Sequence, residues 1–171
     1  AAAASLAAAE ALLTGAPPER VELPTPKGIT LDIPVAGCKI SGNSALCSVI
    51  KDSGDDPDIT NGIEVCARVE LTEDGISIDG GEGIGRVTKP GLDQPVGEAA
   101  INHVPRAMIK EALEKEAESA GYAGGFDVTI SIEGGAETAK RTFNPHMGVE
   151  GGLRVLGTSG IGETMSQPAI P

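Results

Sequence analysis

The chain has 171 residues, 40% of them hydrophobic and 22% charged, which is enough for one domain with a true core or two small ones. A net charge of −12, no Trp, one Tyr and two Phe exclude the basic surface and the stacking platforms of a nucleic-acid binder. No apolar run reaches the ~18 residues of a membrane span, and the cysteines at 38, 47 and 66 form neither a Cys-x-x-Cys pair nor an even disulfide set, so they read as small buried hydrophobes in a reducing cytoplasm.

The N-terminal "AAAASLAAAEALLTG" predicts a buried Ala-rich helix that stops at Gly15. "ERVELPTPKGITLDIPV" alternates apolar and polar residues on both sides of Pro26-Lys27-Gly28, which predicts a hairpin of edge strands. A strand is expected from about Ser44 to Lys51, followed by a polar loop. "IEVCARVEL" and "ISID", joined by a Glu-Asp-Gly turn, predict a second hairpin. Residues 80–104 have no period and many Gly and Pro, the pattern of a long ordered loop. A helix then carries Pro105 in its first turn, buries Met108, Ile109, Ala112 and Leu113, pairs Glu111 with Lys115, and ends at Gly121. "FDVTISI" predicts a strand, "GGAETAKRTF" a short helix and "GLRVLGTSG" a strand with a small-residue turn. The fold class expected is α+β: a mixed sheet with about three helices on one side and glycine-rich loops.

Three loops are candidates for chemistry. "KDSGDDPDITNG" packs Asp52, Asp55, Asp56 and Asp58 around Pro57. Like charges so close need compensation by a divalent cation, by backbone N–H groups or by a cationic ligand, or else the loop is a solvated turn. No frame fits the EF-hand template. "SIDGGEGIGRVTKPG" resembles the glycine loop of a Rossmann methyltransferase, but Pro90, Gly91 and Pro95 forbid the helix that should follow, and no strand–helix–strand unit is legible around it. What remains is a permissive backbone carrying Arg86 and Lys89, which are either anion contacts or ordinary surface charge. The third loop, residues 140–166, has Asn144-Pro145, Gly151-Gly152 and Gly157-Thr158-Ser159-Gly160, which suit either a ligand lying against backbone or tight packing. His103 and His146 lie in no motif, and no hydrolase signature occurs.

Together, "KDSGDDPDITNG", "GGEGIGRVTKPGL", "VGEAAINHVPRAMI" and "TFNPHMGVEGGLRVLGTSGI" resemble the cobalt-precorrin-5B C1-methyltransferase family of anaerobic cobalamin biosynthesis, over essentially the whole chain. The resemblance implies methyl transfer from S-adenosylmethionine to carbon 1 of a cobalt-bearing tetrapyrrole, giving cobalt-precorrin-6A, in a cytoplasmic enzyme that is not a Rossmann methyltransferase. The cobalt arrives with the substrate, and no resident metal is expected. Family members begin before the alanine run and continue past "TSGIGETMS" into an α/β half. Residues 1–165 are therefore expected to be one α+β domain, and 166–171 the start of a linker to a C-terminal domain absent from this chain.

On that resemblance, the cofactor contacts expected are Asp55, Asp56, Asp58, Thr158 and Gly160. The anionic tetrapyrrole is expected at Gly83, Gly85, Arg86, Lys89, Arg106, Asn144 and Arg154, with Lys140 and Arg141 as further cations. No catalytic residue is named, since displacement at a sulfonium needs alignment more than proton transfer. A homo-oligomer is compatible with the chain. The alternatives are a non-catalytic substrate-binding or assembly domain and a metal-binding module built on the Asp loop.

Overall fold

The computed structural model describes residues 1–25, 28–50, 63–135 and 148–155. Helix α1 spans Ala2–Thr14 and stops at Gly15, whose φ of 79° is the left-handed cap that only glycine adopts freely. Its alanines are buried on several sides, so the helix sits close to the sheet, as a helix apolar all round must. Strands β1 (Arg20–Pro24) and β2 (Thr30–Pro34) form the expected hairpin as a separate two-stranded sheet. It turns Val21 and Leu23 inward.

The main sheet contains β3 (Gly37–Ser41), β4 (Ser44–Ile50), β5 (Glu64–Thr72), β6 (Ile76–Gly80) and β8 (Gly125–Ser131) in the order β3-β4-β5-β8-β6. Its inner face, with Val65, Ala67, Val69, Phe126, Val128 and Ile130, lies in one core with α1 and with helix α2 (His103–Ala120). Helix α2 buries Met108, Ile109, Ala112 and Leu113, sets Lys115 3.2 Å from Glu111, and is capped by Gly121 at φ 70°. Each of those features was legible in the periodicity. Two short strands, β7 (Arg86–Val87) and β9 (Val149–Glu150), pair with each other.

The sheet is mixed and α+β as expected, with two helices among the described residues. The third helix expectation falls on 136–143, outside them beyond Gly135. Three expectations are corrected. First, β5 and β6 are not a hairpin: β8 lies between them, antiparallel to β5 and parallel to β6. A short turn between two strands permits pairing, but a third strand that satisfies both edges competes with it. Second, β6, α2 and β8 thereby form a parallel crossover around the glycine motif, although the helix starts only at His103. Third, Cys38 and Cys47 are not lone hydrophobes. Strand β3, not expected from the sequence, folds back through the Gly42-Asn43 turn and sets them opposite each other, 4.1 Å apart at Cα and joined as a disulfide. Cys66 is a free, half-buried thiol. Burial pushes its pKa up, and so do the carboxylates of Glu64, Glu133 and Glu82.

Candidate functional site

Strand direction brings the strand ends that flank the motif segments to one end of the sheet. Ile50 at the end of β4 faces Glu64 at the start of β5, Cys66 faces Ser131 at the end of β8, and Gly80 at the end of β6 faces Ile130. The segment 51–62 therefore leaves and re-enters the sheet at the end where the glycine loop and the segment after β8 begin. Asp55, Asp56, Asp58, Asn144, Thr158 and Gly160 lie outside the described residues, as do Lys140, Arg141 and His146.

The glycine loop is a backbone junction. Gly81 N–H donates to Ile130 O at 2.8 Å, Ile132 N–H to Glu82 O at 2.7 Å, Leu153 N–H to Gly83 O at 2.8 Å, and Gly85 N–H to Leu153 O at 2.9 Å. Gly83 is buried at φ +80°, and a Cβ there would run into the carbonyl oxygen of Ile132 and come within 2.8 Å of its carbonyl carbon. A Cβ on Gly85 would lie 2.8 Å from Gly152 O, and one on Gly152 2.5 Å from the carbonyl carbon of Gly83. Three chain segments meet here at distances only glycine allows. The small residues of the motif make room for backbone and hold the strand that carries Arg86.

The cations of this region differ in how far they are committed. Arg86 donates to Asp79 Oδ1 at 2.8 Å and to Gly80 O at 3.1 Å. That guanidinium holds the Asp79 carboxyl below the usual carboxylate range, against a smaller opposing push from burial. Arg106 donates to three main-chain carbonyls: Ile101 at 2.6 Å, Ala99 at 3.0 Å and Ile78 at 3.4 Å. It staples α2 to β6 and to the segment 99–101. Lys89 is exposed, and a Cβ on Gly148 would lie 3.0 Å from its Cβ, so the chain runs close past its stem. Arg154 is half-buried, with Nε donating to Asn102 Oδ1 at 3.4 Å.

Sequence reasoning missed Asp93. Its Oδ1 accepts the His103 N–H at 2.7 Å and its Oδ2 meets the His103 ring, so a loop residue caps α2 from a distance. His103 is thereby a helix-start residue and not a base in a motif. An Asp nine residues before a helix N-cap carries no local capping pattern, since cap signatures are short-range. Among the described residues no cluster of metal-ligating side chains exists, and no helix is long and apolar enough to cross a membrane.

Comparison with known proteins adds the context. The cobalt-precorrin-5B C(1)-methyltransferase of Ruminiclostridium cellulolyticum is 53% identical over 170 residues, covering 99% of this chain and 44% of that protein. The enzyme of the same name from Pseudomonas fluorescens Pf-5 is 49% identical, covering 93% of this chain and 44% of its own. The chain thus spans less than half the length of these curated relatives. Among solved structures, the cobalamin biosynthesis protein CbiD of Archaeoglobus fulgidus matches with a TM-score of 0.66 and 29% identity, covering 99% of this chain and 53% of that one. This architecture is the one the resemblance implied, and it is not a Rossmann methyltransferase. Residues 1–164 match the CbiD family, and the chain belongs to it.

Proposed function

We propose that the chain forms part of an S-adenosylmethionine-dependent methyltransferase that acts on carbon 1 of cobalt-precorrin-5B to give cobalt-precorrin-6A, in the cytoplasm. The observation that carries this reading is the CbiD match over residues 1–164, together with 53% identity to a protein named for that activity. The relatives' greater length supports a C-terminal domain as the partner that completes the enzyme, and assembly into a homo-oligomer is compatible with the reading.

In the reaction the methyl carbon leaves a sulfonium, which becomes a neutral thioether, and bonds to a nucleophilic ring carbon of the tetrapyrrole. The main task of the protein is to hold the two centres about 3–3.5 Å apart and in line. Residues of this chain then have binding and orienting roles. Asp55, Asp56 and Asp58 face the cationic donor, with Thr158 and Gly160 against its remainder. Arg86, Lys89 and Arg154, with Asn144, receive the polyanionic substrate, and Arg106 holds α2 and β6 beside them. Gly83 and Gly85 contribute through the junction that carries Arg86. In a chain of net charge −12 such a patch must act locally, because the whole-molecule field repels a polyanion.

The test is methyl transfer from labelled S-adenosylmethionine to cobalt-precorrin-5B by protein containing this chain. Product of unchanged mass would refute the reading. Asp55→Asn with Asp56→Asn is expected to lower turnover; full activity would make that loop a structural turn. Arg86→Ala with Lys89→Ala is expected to weaken substrate binding most at low salt.

A further inference from the structure

We infer that Arg154 is a carboxylate-binding residue and that Asn102 positions it, an assignment that rests on the methyltransferase reading and deepens it. The segment 153–155 threads between the glycine loop and residues 99–102. Leu153 bonds to Gly83 and Gly85, Val155 N–H donates to Ala100 O at 2.8 Å, and Asn102 N–H donates to Val155 O at 2.9 Å. Neighbours in extended backbone point to opposite sides. Leu153 and Val155 are both fully buried, so Arg154 emerges on the other side.

Asn102 occupies the N-cap of α2 but makes no side-chain capping bond; Pro105 at the third helical position has no N–H to offer it, and the His103 N–H goes to the Asp93 carboxylate. An N-cap Asn ordinarily turns its oxygen to the helix. Here the Asn102 side chain, in a residue only 8% exposed, instead accepts from Arg154 Nε at 3.4 Å. That contact engages Nε and leaves the Nη1–Nη2 edge without a partner among the hydrogen bonds and ion pairs of the described residues. Arg86 is bound to Asp79 and Arg106 to three carbonyls. No carboxylate among the described residues pairs with Arg154. A presented guanidinium edge matches the two oxygens of a carboxylate with parallel hydrogen bonds, which a lysine cannot reproduce. Two sources of that group exist in the reaction: a carboxylate arm of the tetrapyrrole and the methionine end of S-adenosylmethionine.

The test is calorimetric titration with three probes: a cobalt corrinoid bearing free side-chain carboxylates, its amidated counterpart, and S-adenosylmethionine. Arg154→Lys keeps the charge but loses the fork. Asn102→Asp keeps the size and the N-cap preference, and supplies a carboxylate that occupies Arg154. Both variants are expected to raise Kd for the carboxylate source about tenfold or more, with the amidated corrinoid unaffected. A loss confined to the free-acid corrinoid places a substrate arm on Arg154, and a loss confined to S-adenosylmethionine places the methionine carboxylate there. If the wild type binds these ligands and both variants bind them equally well, the assignment is overturned while the methyltransferase reading stands. If protein containing this chain together with the C-terminal domain binds neither corrinoid nor S-adenosylmethionine, that reading fails and the assignment with it. Asn102→Asp keeps the test decisive if Arg154→Lys does not fold.

Discussion

Replacing Gly83 by Ala separates a glycine that makes room for a ligand from one that makes room for the chain itself. At φ +80° an alanine costs about 1–2 kcal/mol in backbone conformation alone. Its Cβ also meets the carbonyl of Ile132 and lies 3.1 Å from the Cα of Gly135, so those segments must part by about an ångström. That parting breaks the Glu82–Ile132 and Gly83–Leu153 hydrogen bonds, at 2.7 and 2.8 Å, and each buried group left without a partner costs about 1–3 kcal/mol. The expected loss is ~3–8 kcal/mol, a large part of the ~5–15 kcal/mol typical of a domain. The control is Gly91→Ala, at φ +91° with nothing within 4 Å of the new Cβ, which carries only the conformational cost of ~1–2 kcal/mol. Urea unfolding followed by circular dichroism measures both through the midpoint. If Gly83→Ala is no more destabilising than Gly91→Ala, the junction is not a packing device. Loss of ligand binding at unchanged stability would return the loop to the role of a cradle.

Arg106→Gln is expected to destabilise by about 2 kcal/mol, because three main-chain carbonyls lose a charged donor; a melting temperature within a degree of wild type would refute the staple. Leu113→Ala, at a fully buried position of α2, is expected to cost ~2–5 kcal/mol with an unchanged urea slope; a smaller shift in the unfolding midpoint would mean that the helix does not pack on the core. For Asp93, burial pushes the carboxyl up, but hydrogen bonds from Gln94 and from the ring and N–H of His103 outweigh it and hold the pKa below the usual range. A depressed pKa means that the unfolded chain takes up its proton first as pH falls. The contribution is therefore fully present above the ordinary value of about 3.9 and is lost as pH drops through the lower folded value. Asp93→Asn is expected to flatten the acid limb of stability measured by urea unfolding from about pH 5 to pH 2; parallel limbs for variant and wild type would refute the cap.

Helix α2 was legible residue by residue because its signals are local: an apolar face at a period of 3.6, a Pro in the first turn and a Gly after the last. The β1–β2 hairpin was legible for the same reason. The partnership of β5 and β6 was not, because alternation says which face a strand buries but not which neighbour it takes. Strand β3 was missed although Gly-Asn is a two-residue turn signal, and with it went the pairing of Cys38 and Cys47. At the candidate site, Arg86 and Arg154 could be named as cations from the sequence. That Arg86 meets Asp79, that Arg106 serves three carbonyls, and that Asn102 meets Arg154 depend on contacts that carry no local sequence signature.

The sequence by itself determined helices α1 and α2, the alternation in β1, β2, β4, β5, β6 and β8, the α+β class and, through four long motif strings, the family. Such information lies in residue type and short spacing. Only the tertiary structure decided that β8 enters between β5 and β6, that the strand ends flanking the motif segments lie at one end of the sheet, and that the glycines sit where backbone crosses backbone. A glycine reads the same in a ligand loop and in a chain crossing, since both need a missing side chain, and only the neighbouring atoms distinguish the two. For Gly83 those atoms are the carbonyl of Ile132 and the Cα of Gly135.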